Sequence, residues 1–320
     1  MKIIFSTGKG GVGKSTLAAA AAWQLSRIYR VLAVSLDPAH NLGDLFNVDT
    51  GGKRRRLTKN LHIEEIDLQK LSRQYLEREI NVLSDTYKYL RALNLDNYFS
   101  VLKYSPGIEE YALLTGIENT IRDGGEYEFI LFDTPPTGLT LRFLALPRIT
   151  ITWIDRLIEI RRKIIEKRYT IQKIRGDVRR EIPGSGTVLA YDERDDAVLN
   201  RLRSLKDRYK NLTATLAGPD CSIFMVFNPD ILSLKESQRL INGLRELELP
   251  LRLMIDNKVA AENRSMADEV EAALCKEGAA GNFLRVSLRP FFQAGSDACL
   301  YELEEDIASA VLSTFNEKTG

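Results

Sequence analysis

The chain is poor in the side chains that build metal and redox centres: three cysteines, two histidines and four methionines in 320 residues. Cys221, Cys275 and Cys299 lie far apart with no C-x-x-C pair, and His40 and His62 cannot complete a set, so zinc and iron–sulfur ligation are excluded. Spaced cysteines without pairing predict reduced, buried thiols and a cytoplasmic protein. Charge of one sign is also lacking. Lys plus Arg number 45 against 44 Asp plus Glu, which leaves no net field to draw the molecule to nucleic acid. No apolar run approaches the roughly 18 residues that span a bilayer, so no integral membrane segment is expected, and any membrane contact is peripheral. Met1–Phe5 runs straight into a glycine loop without the apolar stretch and cleavage site of a signal peptide.

What is present is an alternation. Short β-branched runs at Lys2–Ser6, Val31–Ser35, Phe129–Asp133, Ser222–Phe227, Arg252–Asp256 and Phe283–Ser287 read as buried parallel strands. Helical patterns at Ser15–Ile28, Ser233–Leu247 and Met266–Glu277 separate them. The fold class this predicts is α/β, a doubly wound, mostly parallel sheet with ligands at the carboxyl edge of its strands. Residues 67–123 and 148–215 break the alternation and predict an inserted helical subdomain; residues 1–66, 124–147 and 216–320 make the nucleotide-binding domain. From Ile154 onward Leu157, Ile158, Ile164, Ile165, Ile171, Ile174 and Val178 recur at helical spacings. Arg148–Glu181 holds 11 Lys/Arg against 5 Asp/Glu; Pro183–Gly186 interrupts the pattern, and a second helix is expected over Asp195–Asn211.

Gly8-Lys9-Gly10-Gly11-Val12-Gly13-Lys14-Ser15-Thr16 satisfies G-x-x-x-x-G-K-[ST] between a first strand and an alanine-rich helix. Glycines let backbone N–H groups converge on phosphate oxygens, and the helix N-terminus adds its partial positive charge. Lys14 is placed to reach the β- and γ-phosphates and Ser15 to offer its hydroxyl to Mg2+, which predicts binding and hydrolysis of ATP. Phe129-Ile130-Leu131-Phe132-Asp133 ends a second strand with an acid suited to organise magnesium, directly or through water. Asp37, leaving the Val31–Ser35 strand, is the candidate for orienting the attacking water. An Asp-Pro pair is also a common turn starter, so that role and a turn role both stay open. His40 reads equally well as a structural histidine of the same loop.

Lys9 beside Gly10 makes the loop resemble the deviant Walker A of the SIMIBI-class ATPases. Asp37-Pro38-Ala39-His40-Asn41-Leu42, Pro106-Gly107-Ile108-Glu109-Glu110 and Asp133-Thr134-Pro135-Pro136-Thr137-Gly138-Leu139-Thr140-Leu141-Arg142-Phe143-Leu144 look like the ArsA family. That family holds the arsenite-pump ATPase and the ATPase that guides tail-anchored membrane proteins. The resemblance implies a homodimer with Lys9 acting across it as a catalytic residue beside Lys14 and Asp37. It further implies adenine contacts from Asn257, Pro290 and Phe291, and a nucleotide contact from Glu236. Leu139 stands where the family usually has histidine, Pro135 where it has alanine, and the paired cysteines of a zinc clamp are absent.

Three functions follow from these residues. In the first, nucleotide state opens and closes a helical surface, lined by Leu157, Ile158, Ile164, Ile165, Ile171 and Ile174, that carries a hydrophobic membrane-protein client to a membrane receptor. Against it, the same isoleucines could simply pack on neighbouring helices, and no methionine lies between Arg148 and Asn211 to make an adaptable groove. In the second, the chain energises an arsenite or anion efflux pump, although its cysteines do not form a helical-domain cluster. In the third it is a positioning ATPase of the ParA and MinD kind, for which the acidic stretch Tyr301–Asp306 is a poor membrane anchor. Lys53–Arg56 is a basic run better suited to a solvated loop than to a headgroup site.

Overall fold

A computed structural model describes residues 1–37, 41–86, 107–175, 192–277, 282–288 and 299–316. In chain order the elements are β1 (Lys2–Gly8), α1 (Lys14–Leu25), β2 (Val31–Ser35), α2 (Asn41–Phe46), β3 (Arg55–Arg56), β4 (Leu61–Glu65), α3 (Leu68–Thr86), α4 (Ile108–Asp123), β5 (Phe129–Asp133), α5 (Thr137–Arg175) and α6 (Ala197–Ala217). They continue with β6 (Cys221–Phe227), α7 (Ile231–Glu246), β7 (Leu251–Val259), a 3-10 turn (Ala261–Asn263), α8 (Arg264–Lys276), β8 (Phe283–Ser287) and α9 (Ile307–Asn316). The strands form one eight-stranded sheet in the order β3-β4-β2-β5-β1-β6-β7-β8. Every pairing is parallel except β3 with β4, which confirms the doubly wound α/β expectation.

Buried parallel strands need apolar residues on both faces. On one face Ile4, Val31, Ala33, Phe129, Leu131, Val226 and Ile255 pack with α1 and α9. Helix α1 suits that position because Ala18–Ala22 are all fully buried. Alanine keeps helix propensity high and lets the helix lie close to the sheet. The opposite face holds Phe5 and Phe132, stacked with ring centroids 5.0 Å apart.

The chain divides into two compact units. One comprises residues 1–71, 113–144 and 215–320 and contains the sheet; the other comprises residues 72–112 and 145–214, and its described elements are helices. In the helical unit Arg161 forks onto Asp196, with Nε–Oδ1 3.0 Å and a terminal nitrogen 2.7 Å from Oδ2, while Asp196 Oδ1 accepts the Leu199 N–H at 2.7 Å. That carboxylate therefore caps α6 and pairs with α5 together.

Several local expectations shift. The strand β4 was not foreseen, although Leu61-His62-Ile63-Glu64-Glu65 alternates apolar with polar as a half-buried strand does; it pairs with β2. The amphipathic helix expected from Ile154 is the later part of α5, which begins at Thr137 and continues through Pro147. The expected client-lining set also divides. Ile158 and Ile165 are buried with Ile154, whereas Leu157, Ile164, Ile171 and Ile174 are exposed. Adjacent helical positions sit about 100° apart, so neighbouring isoleucines cannot share a face.

Candidate functional site

Side chains alternate along a strand, so Ser6 of β1, Ser35 of β2, Asp133 of β5 and Asn257 of β7 all fall on the face that carries α1. Their strands end together, and the segment from Gly8 to Lys14 leaves β1 at that edge. Gly8 has φ 147°, and a Cβ there would lie 2.1 Å from the Val226 carbonyl oxygen of the adjoining strand. Gly13 has φ 98°, and a Cβ there would lie 2.4 Å from the Asn257 amide nitrogen. The loop can pass only because both residues are glycine.

Gly13 is also the N-cap of α1 and provides no side-chain cap. The first N–H groups of this helix have no intrahelical acceptors, which is the arrangement that receives an anion. From the neighbouring strands, Asn257 Nδ2 donates to the Val12 carbonyl at 2.7 Å, and Lys258 Nζ donates to the Gly11 carbonyl at 2.9 Å. Asn228, its amide oriented to satisfy its neighbours, donates to the Val12 carbonyl at 3.2 Å and to the Asn257 carbonyl at 3.3 Å.

Lys14 is buried, and Nζ donates to the Lys9 carbonyl at 3.4 Å. Burial lowers its pKa, while the charges of Asp133 and Asp37 oppose that shift, so both carboxylates lie within electrostatic reach of the ammonium. Asp133 is fully buried, and neither carboxylate oxygen has a hydrogen-bond partner among the described residues. Burial pushes its pKa up to about 6; Ser15 and Lys14 pull it down and Asp37 adds to the rise. The Ser15 hydroxyl is near enough to favour the carboxylate yet outside hydrogen-bonding geometry. An orphaned buried carboxylate beside a hydroxyl is a poor structural element and a good place for a hard divalent cation, so Asp133 and Ser15 fit Mg2+.

Lys14, Ser15, Asp37 and Asp133 are thus brought together as the sequence suggests. Lys9 lies in the loop and Thr16 in the first turn of α1, both half-buried. Glu236, also half-buried, sits in α7, which starts just beyond the carboxyl end of β6. His40, Pro290 and Phe291 lie outside the described residues. The amide of Asn257 is already on the loop carbonyl, so its contact with the cradle precedes any contact with a base. Lys258 and Asn228 were missed by the sequence reading. The only signal for Lys258 was its position directly after Asn257.

This sheet, with a glycine loop leading into a helix N-terminus and acids at the ends of the adjoining strands, defines a P-loop nucleotide-binding protein. A family model described as Anion-transporting ATPase matches residues 1–278, and the chain belongs to that family, the ArsA ATPases. It is an ATPase. The chain is 28% identical to a putative arsenical pump-driving ATPase 2 of Aquifex aeolicus over 99% of its own length and 98% of the relative's. A putative arsenical pump-driving ATPase 1 of the same organism is 32% identical over 82% of this chain, which spans 64% of that relative. An ATPase ASNA1 homolog of Entamoeba dispar is 27% identical over 82% of this chain and 78% of its own.

Proposed function

We propose that this ATPase works as a homodimer whose nucleotide state controls a helical surface for hydrophobic segments of membrane proteins, and that it delivers them to a membrane receptor. Mg2+ is held by Ser15 and Asp133, Asp37 orients the attacking water, and Lys9 reaches the partner's phosphates. Asn257, Pro290, Phe291 and Glu236 contribute the remaining nucleotide contacts. The 67–123 and 148–215 segments form the client-binding subdomain.

One observation supports the client surface above the others. Helix α5 leaves an apolar stripe in water, interrupted at Lys167 and Arg168, with Trp153 66%, Leu157 47%, Ile164 38% and Ile174 78% exposed. Ile160 and Ile171 fall between them, also exposed. Large apolar side chains at spacings of three, four and seven fall on one face, and such a set is costly to leave solvated unless something covers it. No described helix is long and apolar enough to cross a membrane, so the stripe is not itself a spanning segment.

The relatives named for arsenical pumps support a second reading, the energising subunit of an anion pump. Cys221 is buried in β6, Cys275 is exposed on α8 and Cys299 lies ahead of α9, so the thiols occupy different elements of the sheet-containing unit. The experiment that separates the two is Asp37→Asn, which traps bound ATP, followed by identification of what co-purifies. Enrichment of proteins with a single C-terminal transmembrane segment supports targeting; recovery of a multi-spanning pump overturns it.

A further inference from the structure

We propose that Lys258 is a positioning residue for the phosphate loop, re-aimed onto it by a β-bulge. This inference goes beyond the family activity and rests on Gly8–Thr16 as the phosphate cradle.

The bulge is visible in the register. Asn257 pairs with Val286 and Val259 with Ser287, so Lys258 is an extra residue in β7 with no partner of its own in β8. Its φ of 64° places it in the left-handed region, where glycine or asparagine is usual and a long side chain is strained. A strained lysine persists where the surroundings over-determine it. Here Asn263 fixes the bulge from the far side, donating Nδ2 to the Lys258 carbonyl at 3.0 Å and accepting the Ala260 N–H at 2.8 Å. Strict alternation would have sent Lys258 to the face of Asp256. The bulge instead brings its ammonium to the Gly11 carbonyl.

The consequence follows from the planarity of the peptide unit. In a trans peptide the C=O of one residue and the N–H of the next point in opposite directions. Lys258 holds the Gly11 carbonyl outward and so turns the Val12 N–H inward. Asn257 and Asn228 hold the Val12 carbonyl and so turn the Gly13 N–H inward. These donors precede the free N–H groups of α1, and the run forms the concave nest that anions occupy. Lys258 therefore acts on phosphate through the backbone and places a second positive charge behind the loop in addition to Lys14.

The same N–H groups serve ground state and transition state, so losing their alignment weakens binding without changing the chemical step. Lys258→Met is expected to weaken ADP binding about tenfold, the effect of losing one charge-assisted hydrogen bond. It should raise KM for ATP similarly and leave kcat within about twofold. Lys258→Gly is the decisive variant. Glycine accepts φ 64° without strain, so the bulge and the melting temperature are retained, but the ammonium is gone. The proposal expects Lys258→Gly to bind ADP as weakly as Lys258→Met, and Lys258→Arg to recover most of the affinity.

Calorimetric titration of each full-length variant with ADP and with a non-hydrolysable ATP analogue, alongside steady-state kinetics, decides it. Wild-type ADP affinity in Lys258→Gly overturns the proposal, because Lys258 would then serve only the turn. A fall in kcat at unchanged KM overturns it as well. Lys14→Met tests the cradle separately: unchanged analogue affinity there overturns the cradle and this inference together, whereas loss there with wild-type Lys258→Gly overturns the inference alone.

Discussion

The Thr134 hydroxyl donates to the Ser6 carbonyl at 2.8 Å, and the Thr134 N–H reaches the same oxygen at 3.1 Å. Ser6 lies two residues before Gly8 and Thr134 follows Asp133, so this one oxygen joins the loop's root to the magnesium candidate. The Leu36 N–H completes the lacing by donating to the Asp133 carbonyl at 2.8 Å, one residue ahead of Asp37. Thr134→Val keeps the shape and the backbone bond but removes the hydroxyl, and is expected to cost about 1 kcal/mol in denaturant unfolding. Because the strand end that carries Asp133 loosens, kcat should fall further than stability alone accounts for. Wild-type kcat in Thr134→Val would show that the lacing is structural only.

Asp133 gives a pH dependence with a defined sign. Its carboxyl has a folded pKa of about 6 against 3.8 ordinarily, chiefly through burial. The folded protein therefore holds this proton where the unfolded chain has released it, and the slope of stability with pH is negative across that window. Its stability contribution is fully present below pH 4 and lost as pH rises through 6. Asp133→Asn removes the cost, and the variant should be more stable than wild type by about 2–3 kcal/mol at pH 8 and equal to it near pH 4. Activity should move oppositely: if Asp133 holds Mg2+ as a carboxylate, protons compete with the metal, so the wild type should need more Mg2+ as pH falls and Asp133→Asn should be inactive at every pH. Unfolding free energies at the two pH values, read beside the rate profile, check both signs.

Asp256 separates stability from activity. It is buried in β7, its oxygens lack hydrogen-bond partners among the described residues, and burial followed by the charge of Glu271 pushes its pKa up to about 7. Arg285 opposes the rise, but its guanidinium is committed to Glu271 and Asp268. The strand alternation puts Asp256 opposite the face of Asn257 and the phosphate loop. Asp256→Asn is expected to gain about 1–3 kcal/mol at pH 8, with the gain vanishing toward pH 4, while KM for ATP stays unchanged. A tenfold rise in KM would mean that this carboxylate supports the nucleotide site.

The phosphate loop was legible in the sequence because its requirement is local. Glycines at fixed spacing, one lysine and one hydroxyl specify a conformation that the neighbours merely accommodate. Asp133 was legible because a run of four apolar or aromatic residues, Phe129–Phe132, before an acid marks a buried strand end. Lys258 was not, because its bulge exists only in the pairing of β7 with β8, and its partner carbonyl is 247 residues away. The strand β4 escaped for a different reason: its alternation is local but only five residues long.

The stripe on α5 shows where periodicity stops deciding and burial begins. Seen in sequence, Leu157, Ile158, Ile164 and Ile165 form one apolar set; the fold separates them into two by a rotation of about 100°. Ile158 and Ile165 are 8% and 4% exposed, so each alanine substitution should leave a cavity and cost about 2–4 kcal/mol. Leu157 and Ile164 are partly covered, 47% and 38% exposed, so Leu157→Gln and Ile164→Gln should cost about 1 kcal/mol or less, well below the alanine variants of the buried pair. Those two glutamine variants should nevertheless abolish recovery of hydrophobic segments in an Asp37→Asn background while leaving ATP binding intact. If the glutamine variants unfold the protein, the stripe is part of the core after all; if they fold and still carry the same apolar segments, the client surface lies elsewhere.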